Sequence, residues 1–155
     1  MTLAELLTPE RVIADLRSED HWPAIEEMVD HLVEKGSLPG DQKDAALTAL
    51  KAREEQRSTG IGGGIAIPHC FLPGLEEVVA IFARSKAGVE FCALDRAPVH
   101  FLVLFIVPES QYTLHLKTLA AIAKILNSAD TRKRLADAAD DSEIIDILSQ
   151  RASAA

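Results

Sequence analysis

The sequence predicts a three-layer α/β/α sandwich, and three observations predict it. Residues 99–107 (Val-His-Phe-Leu-Val-Leu-Phe-Ile-Val) are almost continuously apolar, the pattern of a central strand covered on both faces. A second apolar run rich in β-formers, Val78-Val79-Ala80-Ile81-Phe82-Ala83, precedes it. Segments whose apolar residues recur at helical spacing lie before and after these runs, so each face of a sheet has helices to cover it.

Val12-Ile13-Ala14-Asp15-Leu16 reads as a short strand. Ser18 and Asp20 are N-cap candidates for a helix to about Lys35, with Ile25, Met28, Val29, Leu32 and Val33 on one face and Gly36 as its stop. A second helix begins after Pro39-Gly40-Asp41 and runs through Ala45, Ala46, Ala49, Leu50 and Arg53 towards Arg57. A glycine-rich loop follows. Gly88-Val89-Glu90-Phe91 is a short extended piece, Asp95-Arg96-Ala97-Pro98 is a turn, and Pro108 ends the central strand. Leu116, Leu119, Ala120, Ile122, Ala123 and Leu126 restore the helical period over 112–126. Residues 131–138 and 142–150 read as two shorter helices, and 151–155 are expected to fray. With no internal repeat or long linker, 1–150 is expected to be one domain.

The composition narrows the partners. At 155 residues, 48% apolar and 26% charged, the chain can fill a core. A formal charge of −8 and a pI near 5.1 argue against nucleic acid and anionic membranes, and suit a partner with a basic docking face. No apolar run is long enough to span a bilayer and no secretory pattern opens the chain, so no membrane insertion and a cytoplasmic location are expected. Cys70 and Cys92 lack metal-ligand or CxxC spacing and read as thiols, Cys92 as a small buried one. The exposure of Cys70 matters more, because it adjoins His69.

The chemistry concentrates in Ser58-Thr59-Gly60-Ile61-Gly62-Gly63-Gly64-Ile65-Ala66-Ile67-Pro68-His69. Glycines let backbone approach backbone, or a phosphate approach N–H groups. Pro68 stiffens the stem that carries His69, a ring that titrates near neutral pH. His115 falls in the first turn of a predicted helix, where free N–H groups and the helix dipole favour an anion. His21 and His31 read as exposed surface. His100 reads as a satisfied histidine inside a strand or as a position where the strand changes face. Arg53 and Arg57 are the nearest upstream cations, although Arg53 by its spacing is an ordinary helix-surface residue. No Gly-Lys-Ser/Thr ending, GxSxG or HExxH is present, so neither a metal nor a cofactor is expected. Glu26-Glu27, Glu54-Glu55, Glu76-Glu77 and Asp140-Asp141 read as solvated faces and caps.

These residues carry a resemblance. Arg53-Glu54, the stretch from Ser58 to His69, Pro98-Val99 leading to Val107-Pro108, and His115-Leu116 resemble the enzyme IIA domain of the fructose/mannitol/nitrogen-regulatory class, from the phosphoenolpyruvate-dependent phosphotransferase system. The opening Leu6-Leu7-Thr8-Pro9-Glu10 is similar to that family's start. The resemblance implies a mixed central sheet and phosphorylation of His69. It makes His115 the second active-site histidine and places Arg53, Gly62, Gly63 and Gly64 around the phosphate. The donor it implies is the histidine-containing phosphocarrier protein or its nitrogen-branch homologue; the acceptor is a IIB domain or a set of regulated proteins. The wording of the loop is closer to the nitrogen-regulatory group. The same fold also serves as a non-catalytic anion-binding or transporter-regulatory module. Two departures stand out: Gly63 where many members have asparagine, which puts a side-chain contact to the site in doubt, and Cys70 after the histidine, which raises redox sensitivity.

Overall fold

The computed structural model describes residues 7–56, 58–91 and 97–154. Residues 1–6, Arg57, Cys92, the Asp95-Arg96 part of the expected turn and Ala155 lie outside the described residues. Six strands form one sheet: β1 (Val12–Ile13), β2 (Gly60–Gly62), β3 (Ile65–Ala66), β4 (His69–Leu72), β5 (Val79–Val89) and β6 (Val99–Pro108). Among the described residues five α-helices accompany it: α1 (His21–Glu34), α2 (Lys43–Gln56), α3 (Tyr112–Leu126), α4 (Ala129–Asp137) and α5 (Asp141–Ala154).

The apolar run at 99–107 becomes β6 and lies inside the sheet. It pairs antiparallel with β5 on one side and parallel with β3 and then β4 on the other. Parallel β1 beyond β5 and antiparallel β2 beyond β3 complete the order β1-β5-β6-β3-β2. The sheet is therefore mixed. The continuous apolarity of β6 has a direct cause. Leu102, Leu104 and Ile106 point into a core with Ile25, Met28, Leu32 and Leu50 of α1 and α2. Phe101, Val103, Phe105 and Val107 point into a second core with Ile122, Leu126, Leu135 and Ile144 of α3–α5. Each such side chain contributes about 1.5–3 kcal/mol by leaving water.

Several boundaries differ from expectation. The first strand stops at Ile13, because the Ala14 carbonyl accepts from Arg84 Nε (2.9 Å) and Asp15 turns its carboxylate outward. The run at 78–83 continues to Val89, so the expected separate piece at 88–91 is the end of β5, plus a bridge from Glu90 to Asp20. The register shifts between Arg84 and Val89, where Gly88 takes φ +93°. A Cβ at Gly88 would stand 2.8 Å from Pro98 Cβ, so the close approach of the two strands there requires glycine. The last helix passes Gln150 and runs to Ala154. No helix among the described residues is long and apolar enough to cross a membrane.

Candidate functional site

His69 opens β4, with Phe105 as its ladder partner on β6. Alternation along β4 sends Cys70 and Leu72 into the α1–α2 core, while Phe71 packs on the α3–α5 core. His69 therefore shares the α3 face, with its ring edge-on to Phe71 at 6.5 Å. Its Nδ1–H donates to the Ile67 carbonyl at 2.8 Å. A carbonyl can only accept, so this contact places the proton on Nδ1 and leaves the lone pair on Nε2. Pro68 supports the stem: its own carbonyl accepts from Phe105 N–H at 2.9 Å.

The ring is half-buried, and burial lowers its pKa below the ordinary histidine value. The hydrogen bond to Ile67 opposes that shift, Arg53 adds to it and Glu54 opposes it. The net direction is downward, so the ring is neutral and nucleophilic at neutral pH. Arg53 sits in the last turn of α2, close enough for its charge to act on His69.

Beside it, Glu54 is 4% exposed, not part of a solvated acidic face. Its carboxylate accepts from Thr59 N–H at 3.1 and 3.2 Å and from Thr59 Oγ1–H, and His21 Nε2 lies 3.0 Å from Oε2. A chain of contacts leads onward to the histidine. The Thr59 carbonyl accepts from Ile67 N–H at 3.1 Å, and the Ile67 carbonyl holds His69. His21 also departs from its reading as exposed surface. It stacks on Trp22 at 4.2 Å and packs on Phe91 at 4.0 Å.

His115 lies in the first turn of α3, as its position in the sequence predicts. It is only 3% exposed. Its Nε2–H donates to Gln111 Oε1 at 3.1 Å, while Nδ1 is buried without a hydrogen-bond partner. Burial lowers its pKa. Gln111, the N-cap residue, makes no side-chain cap, so its side chain serves the histidine and not the helix end. α3 follows the end of β6 that carries His69, on the same face of the sheet, so the topology brings both histidines to one corner.

The glycines behave otherwise than the resemblance implies. Gly62, Gly63 and Gly64, with φ of +94°, +66° and +81°, form the turn between β2 and β3. Positive φ favours glycine at all three positions, and only Gly63, at +66°, lies in the left-handed region that asparagine also visits. β3 pairs with Phe101 and Leu102, whereas His69 pairs with Phe105. Four residues of strand, about 13 Å, separate the two levels. The three glycines therefore stand at the opposite end of β6 from His69, beside Arg132 and His100. The part of the loop near His69 is Thr59, tied to Ile67. Gly63, as a departure from the family pattern, consequently does not touch the His69 corner. Cys70 does not raise redox sensitivity either: it is 4% exposed and burial pushes its thiol up to about 12. His100 is a satisfied histidine, its Nδ1–H donating to Ser85 O at 2.8 Å. No group of three or more metal-ligating side chains is gathered among the described residues.

Residues 5–151 match the model of the family described as "Phosphoenolpyruvate-dependent sugar phosphotransferase system, EIIA 2". The chain belongs to this family. This EIIA chain is 35% identical over 150 residues to the fructose-specific EIIABC component of Bacillus subtilis, a match covering 97% of the chain but 23% of that protein. It is 33% identical to the nitrogen regulatory protein of Bradyrhizobium diazoefficiens, over 96% of the chain and 95% of the relative. The crystal structure of nitrogen regulatory protein IIA-Ntr from Neisseria meningitidis superposes with a TM-score of 0.86 at 29% identity, covering 94% and 98% of the two chains.

The sequence pattern of this EIIA domain marks the stretch that holds Thr59, but not the buried pairing of Glu54 with Thr59 and His21. Glu54 looked like half of an exposed acidic pair. The available signal was its spacing: it precedes Thr59 by five residues, so its carboxylate can reach forward past the helix end to the Thr59 N–H.

Proposed function

We propose that this EIIA domain is a phosphoryl carrier that accepts phosphate on His69 Nε2 from a histidine-containing phosphocarrier protein. The observation that carries the reading is the hydrogen bond from His69 Nδ1–H to the Ile67 carbonyl, which leaves Nε2 as the available nucleophile. In the transfer, the N–P bond of the donor phosphohistidine breaks and its electron pair stays with the donor ring. The His69 Nε2–P bond forms as Nδ1 keeps its proton. Positioning and charge do most of the work in such a loose transfer. Arg53 supplies a fixed cation. His115, neutral at rest, takes up a proton more readily once an anionic phosphoryl group is near, because opposite charge favours the cationic ring. Leu116, 44% exposed beside His115, offers an apolar contact to the docking partner.

Likeness to nitrogen regulatory proteins supports a regulatory role, and comparable likeness to the fructose-specific EIIA component of Haloferax volcanii, at 36% identity over 81% of that protein, supports passage to a IIB domain. Transfer of radiolabelled phosphate from the phosphorylated carrier, followed by mapping of the acid-labile label, tests the carrier reading. Wild type is expected to take up label and His69→Ala none. His115→Ala is expected to fold and to transfer about 10²-fold more slowly. Label retained in His69→Ala overturns the assignment. Absence of label in the wild type favours a binding module without transfer. Rapid loss of label to an added fructose- or mannitol-type IIB domain favours the sugar-specific role.

A further inference from the structure

Glu54 stands where a carboxylate is unfavourable. It lies in the last turn of α2, at the negative end of the helix dipole, and it is 4% exposed. A buried carboxylate is costly unless donors surround it. Here they do: Oε1 accepts from the Thr59 hydroxyl, the two oxygens accept from Thr59 N–H at 3.2 and 3.1 Å, and His21 Nε2 stands 3.0 Å from Oε2. The carboxylate thereby joins the end of α2, the start of α1 and the chain that leads to His69. Stability alone does not call for a carboxylate at such a place, since buried ionic groups are often replaceable by apolar side chains without loss.

Two parts of the His69 corner hang on this tie. Arg53, whose charge acts on His69, directly precedes Glu54, so the backbone that carries the guanidinium is held when Glu54 is held. On the other side, Thr59 O accepts from Ile67 N–H at 3.1 Å, and Ile67 O accepts from His69 Nδ1–H at 2.8 Å. α2 also packs along β4, the strand that His69 opens. The cation and the nucleophile are therefore linked through one side chain. The chain around Thr59 has supports of its own: Ser58 Oγ–H donates to Phe91 O at 2.9 Å, and Gly60 N–H donates to Ser58 Oγ at 3.1 Å. A change of reach at Glu54 thus alters the spacing of helix end and stem while the loop stays held. In phosphoryl transfer that spacing matters, because a misplacement of about 1 Å can cost about 10²-fold in rate.

We infer that Glu54 is a positioning residue for phosphoryl transfer, tying the end of α2 to Thr59 so that Arg53 stays fixed against the stem of His69. The inference rests on the phosphoryl-carrier reading and adds a residue to it. Substitution separates reach from charge. Glu54→Asp keeps the carboxylate and shortens the side chain by one methylene; Glu54→Gln keeps the length and an oxygen that accepts from Thr59. Phosphate acceptance from the phosphorylated carrier is measured in the full chain over a range of carrier concentrations, for each variant alone and combined with Arg53→Gln, with circular dichroism to verify folding. Glu54→Asp is expected to lower the maximal rate about tenfold, with the half-saturating carrier concentration within about twofold of wild type. Glu54→Gln is expected to recover most of that loss. In the Arg53→Gln background, Glu54→Asp is expected to cost about twofold or less, because its effect passes through Arg53. Thr59→Val removes the hydroxyl and keeps the N–H; it is expected to lower the maximal rate about threefold with the same carrier dependence, and it carries the test alone should Glu54→Asp unfold. Equal losses in the two Arg53 backgrounds, a loss confined to Glu54→Gln, or unchanged rates in Glu54→Asp and Thr59→Val overturn the inference and leave the carrier reading standing. Absence of label in the wild type overturns the carrier reading and the inference with it.

Discussion

Two opposed influences set the state of the His69 ring. The Ile67 carbonyl selects the tautomer, and burial together with the Arg53 charge keeps the ring neutral. The sign of the Arg53 effect can be tested. Arg53 lowers the His69 pKa, so Arg53→Gln is expected to raise it, read as an upward shift in the imidazole NMR titration, while phosphate transfer falls by about 10-fold or more. A downward shift would separate the two residues. At Cys70, the buried thiol is expected to resist alkylation by iodoacetamide in the native state and to react only after denaturation, as read by mass spectrometry. His69 was legible in the sequence as a candidate, because it belongs to a compact local motif, whereas Arg53 by its spacing read as helix surface and entered the site only through the family resemblance. Glu54 was not legible, because only the folded chain shows that its carboxylate meets a backbone N–H five residues on.

The loop from Ser58 to His69 divides into two pieces with different tasks. Thr59 clamps the end of α2 to the strand preceding the histidine, through Glu54 on one side and Ile67 on the other. Removing the carboxylate leaves the buried Thr59 donors and His21 without their acceptor. Glu54→Ala is therefore expected to cost about 2–4 kcal/mol in urea unfolding. The glycine turn has the opposite character. Gly63 is exposed, has φ +66°, and a Cβ there would stand 3.5 Å from the Arg132 guanidinium, an ordinary van der Waals contact. Asparagine tolerates that backbone. Gly63→Asn is accordingly expected to leave stability and the rate of phosphate acceptance within about twofold of wild type, in the same unfolding and transfer assays. Helical and strand periodicity located α1, α2, α3 and β6 well, since those patterns follow from local geometry. The ends of β1 and β5 were not legible, because a side chain from a distant strand decides the first and a register shift opposite Pro98 decides the second.

Across the whole domain, the mixed sheet gathers titrating rings at one corner and cations at the other. His69 and His115 both have pKa values held below the ordinary 6.5 by burial. The unfolded chain therefore takes up protons at higher pH than the folded one. The stability this represents is complete above about pH 6.5 and is lost as pH falls through the lower folded values. Urea midpoints are expected to fall between about pH 7.5 and 5.5, and the fall is expected to shrink when both histidines are replaced by alanine. The sequence alone established the α/β class, the apolar central strand, and the two histidines worth attention, because periodicity and short motifs are properties of neighbouring residues. Tertiary structure alone decided that the glycine turn lies at the other end of β6 from His69, that Glu54 is buried against Thr59 and His21, and that Arg84 is buried on the carbonyls at the end of α4. Strand register and the alternation of faces across β6 set those distances, and both depend on residues far apart in the chain.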